Sequence, residues 1–221
     1  GDRRISRIEH SGGKLTLADN FEGKRLNSPN DLVYGPDGAV YFTDPAYGLP
    51  ERYEDARNRE LPFCGVFRIG LPDREVSLLT DEFVNPNGLA FSPDGSRLYV
   101  GHSNRETPVI KAFDFKPGAS LGKGEVFCDF SDVVGKMPGN VDGFKLDEKG
   151  NVFTSGPGGV WVLSAGGKRL GRIDTGQRTA NVAWGDDGST LYITAHMFLL
   201  RIRTRTRAAA MPGLAAAQSE A

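Results

Sequence analysis

A chain of 221 residues with 27 basic and 28 acidic side chains carries a formal net charge of −1, so no bulk field draws it to nucleic acid or to an anionic membrane. Hydrophobic residues make up 38% of the chain, yet no apolar run approaches the roughly 18 to 20 residues that span a bilayer. Cys64 and Cys128, without CxxC spacing, read as structural free thiols ahead of a disulfide pair or a catalytic role.

The predicted elements are strands. Segments 3–8 and 14–18 read as an outer pair, and from Pro29 comes PNDLVYGPDGAVYFTD, where Val40 and Phe42 alternate with Tyr41. Apolar residues on both faces fit strands sandwiched between neighbouring sheets. Segment 48–63, GLPERYEDARNRELPF, is charged and lacks alternation; it reads as a solvated loop or, functionally, as a lid over a site at the rim. Strands at 64–69 and 76–80 lead to a second copy of the phrase, PNGLAFSPDGSRLYVGHS, from Pro86. Strands at 109–115 and 124–130 lead to a third, VDGFKLDEKGNVFTSG, and a strand at 159–163 to a fourth, ANVAWGDDGSTLYITAH. Arg201, Arg203, Arg205 and Arg207 alternate with Ile and Thr as the solvated face of an edge strand does. The Ala-rich stretch 208–221 is too short to hold a helix alone and is expected to be a flexible tail.

Each copy opens on an oxygen-bearing side chain: Asn30, Asn87, Asp142 and Asn181, separated by roughly 57, 55 and 39 residues, which suits β-propeller blades with loop insertions. The expected fold is therefore all-β, one propeller domain over 1–207 built of four-stranded antiparallel blades. Four inner hairpins and the outer half of another blade are accounted for. Turns are supplied later in each copy, as at Pro36-Asp37-Gly38 and Pro93-Asp94-Gly95, which releases the opening Asn or Asp for a site on the axis. Side-chain oxygens of Asn30, Asn87 and Asp142, with no clustered His or Cys, suit Ca²⁺ or Mg²⁺ better than a structural zinc. Asp44 and Tyr47, in TDPAYG, either line the mouth of that site or end a strand. His102 and His196 close two inner hairpins without a Gly-x-Ser-x-Gly elbow, and they and Trp161 and Trp184 read as packing or rim residues.

Taken together, NSPNDL with YFTDPAYG, PNGLAFSPDG with RLYV, VDGF with GNVF, and TANVAW with TLYITA resemble the gluconolactonase family that includes the regucalcin or senescence-marker-30 proteins. The resemblance runs from about Arg3 to Arg207. It implies a six-bladed propeller, lacking its N-terminal blade in this chain, that holds one divalent cation on its axis and hydrolyses sugar lactones. Carried over by motif, Asn87 and Asp142 match the family's amide and carboxylate metal ligands, and Asn30 matches a residue beside the metal that contacts substrate or metal. Asp142 is then the catalytic carboxylate, with Asn30, Asp44 and Tyr47 as substrate-binding residues. The cation is Ca²⁺ first, with Mg²⁺, Mn²⁺ or Zn²⁺ as alternatives, and it would polarise the lactone carbonyl and activate water. Two departures stand out: the family's glutamate ligand has no counterpart, since Glu22-Gly23 is out of phase, and Ser28 stands where some members carry Arg. The expected partner is a small-molecule lactone, with no nucleic acid and no membrane, in a soluble protein of unassigned compartment and oligomeric state. The rival readings are a non-catalytic binding propeller and a related propeller esterase with a different substrate.

Overall fold

In a computed structural model describing residues 2–50 and 58–210, the chain is made of strands, with no helix among the described residues and therefore none long and apolar enough to cross a membrane. An antiparallel hairpin, β1 (Ile5–Ile8) and β2 (Lys14–Ala18), comes first, followed by a short ribbon, β3 (Asn20–Phe21) and β4 (Lys24–Arg25). The first four-stranded sheet follows in sequence order: β5 (Leu32–Tyr34), β6 (Val40–Asp44), β7 (Cys64–Ile69) and β8 (Val76–Phe83). The second is β9 (Pro86–Phe91), β10 (Arg97–His102), β11 (Val109–Asp114) and β12 (Glu125–Asp129). The third is β13 (Phe144–Leu146), β14 (Val152–Gly156), β15 (Gly159–Leu163) and β16 (Arg169–Asp174), and a three-stranded sheet ends the series with β17 (Thr179–Gly185), β18 (Thr190–Ala195) and β19 (Phe198–Arg203).

Two-sided alternation explains why these sheets stack as blades. On β6, Val40 and Phe42 face back to Ile5, Leu17 and Leu26, while Tyr41 faces forward to Leu89, Phe91 and Leu98. On β10, Leu98 and Val100 face back and Tyr99 forward to Phe144 and Leu146; on β14, Val152 faces back and Phe153 forward to Val182 and Leu191. Four apolar clusters thus lie one between each consecutive pair of blade sheets, the hairpin included. Each fully buried side chain among them contributes roughly 1.5 to 3 kcal/mol. The Asp-Gly turns close the inner hairpins as expected: Gly38, Gly95 and Gly188 have φ of 76°, 69° and 85°, a region only glycine enters without cost.

The described residues form an all-β propeller arrangement with four blade sheets, three of them four-stranded and the last three-stranded, plus the β1–β2 hairpin. The six-blade count and the missing N-terminal blade go beyond what these sheets contain and remain implications of the resemblance. β19 is the exposed edge strand expected from its arginines, with Phe198, Leu199 and Ile202 also open to solvent. Of the tail expected from Ala208, Ala208 N–H donates to the Gly188 carbonyl at 2.8 Å and Ala209 N–H to the Leu146 carbonyl at 3.1 Å; 211–221 lie outside the described residues. Of the predicted lid, 51–57 lie outside them too, while its flanks are anchored by buried Leu49 and Leu61.

Candidate functional site

The inner strands β5, β9, β13 and β17 all begin at the same end of the blades, and the residue opening each repeat lies within two residues of that start. Three of these residues converge. The Asn30 Nδ2 donates to Asn87 Oδ1 at 2.7 Å across two blades, and the Asn87 side chain lies near enough to the Asp142 carboxyl of the third to pull its pKa down. The fourth, Asn181, turns its Oδ1 to its own strand, accepting from Val182 N–H at 2.8 Å, and packs against Gly143.

Glycine follows Asn87 and Asp142 for a steric reason. A Cβ on Gly88 would collide with the Asp142 carbonyl oxygen, and one on Gly143 would collide with Asn181 Oδ1. Each glycine is where the next inner strand approaches most closely. In the first copy this place is held by Asp31, whose carboxylate accepts from Leu32 N–H at 2.9 Å. Its Oδ2 is enclosed without a partner among the described residues. Sequence reasoning missed Asp31, although its phase, aligned with Gly88 and Gly143, was a usable signal.

Two hydroxyls at the ends of second strands fix the spacing. Thr43 Oγ1 donates to the Asn87 carbonyl at 2.8 Å, and the Thr43 carbonyl accepts from Asn30 N–H at 2.9 Å. Ser155 Oγ makes the equivalent link further round the ring, donating to the Ala180 carbonyl at 3.2 Å. Both stand at equivalent places, in YFTD and FTSG, and both were overlooked.

Burial dominates the electrostatics. Desolvation pushes the Asp142 carboxyl up to about 7, with the neighbouring Asp31 charge adding to the rise and the Asn87 side chain opposing it. Asp31 is raised by burial as well, against the pull of Lys145. Lys145 near Asp31 and Arg178 near Asp142 offset the burial of these two carboxyls only in part. With the amide oxygens of Asn30 and Asn87 the carboxyls form an oxygen-only donor set, while no cluster of three His, Cys, Asp or Glu occurs among the described residues. Such a set fits a hard divalent cation.

Asp44 departs from its predicted place at the mouth. It is fully buried, its Oδ2 accepts from Asn27 N–H at 2.7 Å, and burial pushes its carboxyl up to about 7. Asn27 completes the clamp, its Nδ2 donating to the Phe63 carbonyl at 2.9 Å. Asp44 therefore ties down the loop that carries Asn30 and is out of a substrate's reach. Tyr47 does reach a cavity of about 410 Å³ with Asn30 and Ser28, its hydroxyl donating to the Asn85 carbonyl at 3.2 Å. His102 is buried against Phe83 with Nδ1 3.2 Å from Thr107 Oγ1, and His196 sits in the β18–β19 turn with φ of 56°. Trp161 and Trp184 pack, each donating its indole N–H at 2.9 Å to a backbone carbonyl, of Pro157 and Leu146 respectively.

Comparison with known proteins identifies the family and the fold. The family model described as SMP-30/Gluconolactonase/LRE-like region matches residues 2–197. A gluconolactonase of Zymomonas mobilis is 36% identical over 211 residues, covering 93% of this chain and 59% of the relative. The solved structure of a gluconolactonase from Xanthomonas campestris superposes with a TM-score of 0.80 at 33% identity, over 92% of this chain and 66% of that one. A regucalcin from Agrobacterium tumefaciens, described as a calcium-binding protein, shares the fold with a TM-score of 0.68 at 21% identity, over 94% of this chain and 71% of that one. The chain spans 59% of the length of the Zymomonas relative.

Proposed function

Because the chain belongs to the SMP-30/gluconolactonase/LRE-like family, we propose that its axial site hydrolyses sugar lactones with the help of a divalent cation, Ca²⁺ in the first place and Mg²⁺, Mn²⁺ or Zn²⁺ as alternatives. The observation that carries this reading is the convergence of side chains from three blades: the Asn30 amide bonded to Asn87 Oδ1, and Asn87 acting on the Asp142 carboxyl. Asn87 and Asp142 would hold the cation with Asn30 beside them, and Asp31 adds a second carboxyl within electrostatic reach of Asp142. When bound, the cation would polarise the lactone carbonyl and make attack by water easier.

The chain's own residues do the rest. Asp142 would be the carboxylate that takes the proton of the attacking water, a role that needs it ionised. Asn30, held by its N–H to the Thr43 carbonyl, presents its amide both to Asn87 and to the cavity shared with Tyr47, where the sugar hydroxyls would lie. Asp44 and Asn27 fix that loop from beneath.

Proton release from glucono-1,5-lactone, followed with Ca²⁺ and with EDTA, tests the proposal. Turnover that needs Ca²⁺ and falls by about 100-fold or more in Asp142→Asn, with the fold retained, is the expected result. An Asp142→Asn rate equal to that of the parent chain removes Asp142 from the reaction. A non-catalytic binding propeller is the second reading, favoured by the lack of a counterpart to the family's glutamate ligand; it predicts Ca²⁺ binding without turnover of any lactone.

A further inference from the structure

The residues leading into β1 place two arginines beside the axial site. Asp2, Arg3 and Arg4 form one wall of the cavity of about 410 Å³ whose other walls include Ser28, Asn30 and Tyr47. Ser28 is satisfied there, its hydroxyl donating to the Pro45 carbonyl at 2.5 Å and accepting from Gly48 N–H at 2.9 Å. The arginines are not. Arg3 donates through Nε to the Leu26 carbonyl at 2.6 Å, but its Nη2 is enclosed and has no acceptor among the described residues. Arg4 donates to Thr16 Oγ1 at 3.0 Å and to Asp2 Oδ2 at 2.9 Å, and its Nε is likewise enclosed and unmatched.

Leaving charged donors enclosed and unmatched is costly, and native proteins rarely tolerate it without a reason. Arg3 is also held at φ of 57°, in the left-handed region that non-glycine residues occupy with strain and that clusters at ligand clamps. The charge balance narrows the ligand. Asp2 is shared between Arg4 at 2.9 Å and Lys14 at 3.4 Å. Asp44, within electrostatic reach of Arg3, has its carboxyl pushed up to about 7 by burial, so positive charge is in excess around the cavity. A planar guanidinium fork matches a carboxylate in geometry and in charge.

We propose that this cavity is a carboxylate subsite built on Arg3, and that the preferred substrates are lactones bearing a second, ionised acid group, as the lactones of aldaric acids do. The inference rests on the lactone reading of the axial site, which it deepens. Asn30 belongs to both places. A sugar whose lactone carbonyl lies at Asn87 and Asp142 directs its far end past Asn30 toward Arg3, where the carboxylate accepts the unmatched N–H groups.

The test compares D-glucaro-1,4-lactone, which carries a carboxylate, with neutral glucono-1,5-lactone in the parent chain, Arg3→Gln and Arg3→Lys. The parent chain is expected to have the lower KM for the glucarolactone. Arg3→Gln should raise that KM about tenfold more than it raises the KM for gluconolactone, with Arg3→Lys recovering part of the difference because charge is kept and the fork is lost. Equal KM values in the parent chain, or parallel effects of Arg3→Gln on both lactones, overturn the subsite. Hydrolysis of neither lactone counts against the lactonase reading instead, and the subsite is then decided by calorimetric titration with D-glucarate. Binding that weakens in Arg3→Gln supports it; binding that is absent, unchanged by the substitution, or matched by inorganic phosphate overturns it.

Discussion

At the scale of single residues, the two glycines after the axial Asn87 and Asp142 separate a motif from its cause. An Asn-Gly or Asp-Gly pair ordinarily marks a turn, yet neither Gly88 nor Gly143 has a positive φ, and what each needs is room for a neighbouring strand. The obstacle differs between them, and that difference is testable. At Gly143 a methyl meets the Asn181 side chain, whereas at Gly88 it meets the backbone carbonyl of Asp142. Gly143→Ala should destabilise the protein by about 1 to 3 kcal/mol through overpacking and be largely rescued by adding Asn181→Ala. Gly88→Ala should cost at least as much, find no rescue at Asn181, and weaken Ca²⁺ binding because it displaces Asp142 itself. Urea unfolding of the two single variants and their double variants with Asn181→Ala measures this, and equal rescue in both would refute the steric distinction.

The same separation holds for whole elements. Strand positions, two-sided alternation and Asp-Gly turns were legible because a blade buries both faces and because left-handed turns admit few residues other than glycine; Val40, Tyr41 and Phe42 face the sheets that their spacing predicts. Asn30, Asn87 and Asp142 were legible because radial repetition converts equal phase in sequence into contact in space. What hid from the sequence was the support beneath them. Asp44 read either as a mouth residue or, from its Asp-Pro pair, as a strand end; it does end β6, while its burial under Asn27 depends on a loop closing over it. Thr43 was missed because a threonine at a strand end has no distinctive spacing. Its hydroxyl nonetheless links β6 to the inner strand β9 at Asn87, in the way Ser155 links β14 to the approach to β17. Thr43→Val keeps the shape of the side chain and removes that link, leaving the buried Asn87 carbonyl without this donor. It should cost about 1 to 3 kcal/mol and reduce Ca²⁺ affinity, whereas Thr43→Ser should retain the affinity. Thermal melting paired with calcium titration checks it; unchanged affinity in Thr43→Val would make the hydroxyl a matter of stability alone.

For the molecule as a whole, the buried carboxyls set how stability responds to pH. Asp44 and Asp142 are each pushed up to about 7, mainly by burial, and Asp31 is raised in the same direction. An unfolded chain releases an aspartate proton at about 3.9. Between that value and about 7 the folded protein therefore holds more protons than the unfolded one, so stability is greatest at the acidic end and declines as pH rises through the folded values. His102, lowered by burial, acts the other way, since it stays neutral in the fold at a pH where the unfolded chain takes up a proton. The lowered carboxyls of Asp94 and Asp187 change charge at more acidic pH than either and do not enter this window. The cation-free protein should thus lose melting temperature from pH 5 to pH 8, and Asp44→Asn, which cannot ionise, should flatten that slope. Calcium adds a second, separable effect. At the proposed site, binding would need Asp142 ionised, so the stabilisation by a fixed Ca²⁺ concentration should be larger at pH 8 than at pH 5. A flat or rising melting temperature across this range, or an equal calcium shift at both ends, would mean that the charge these carboxyls lack is already supplied by groups of the protein, and the axis would lose its electrostatic reason to take a cation.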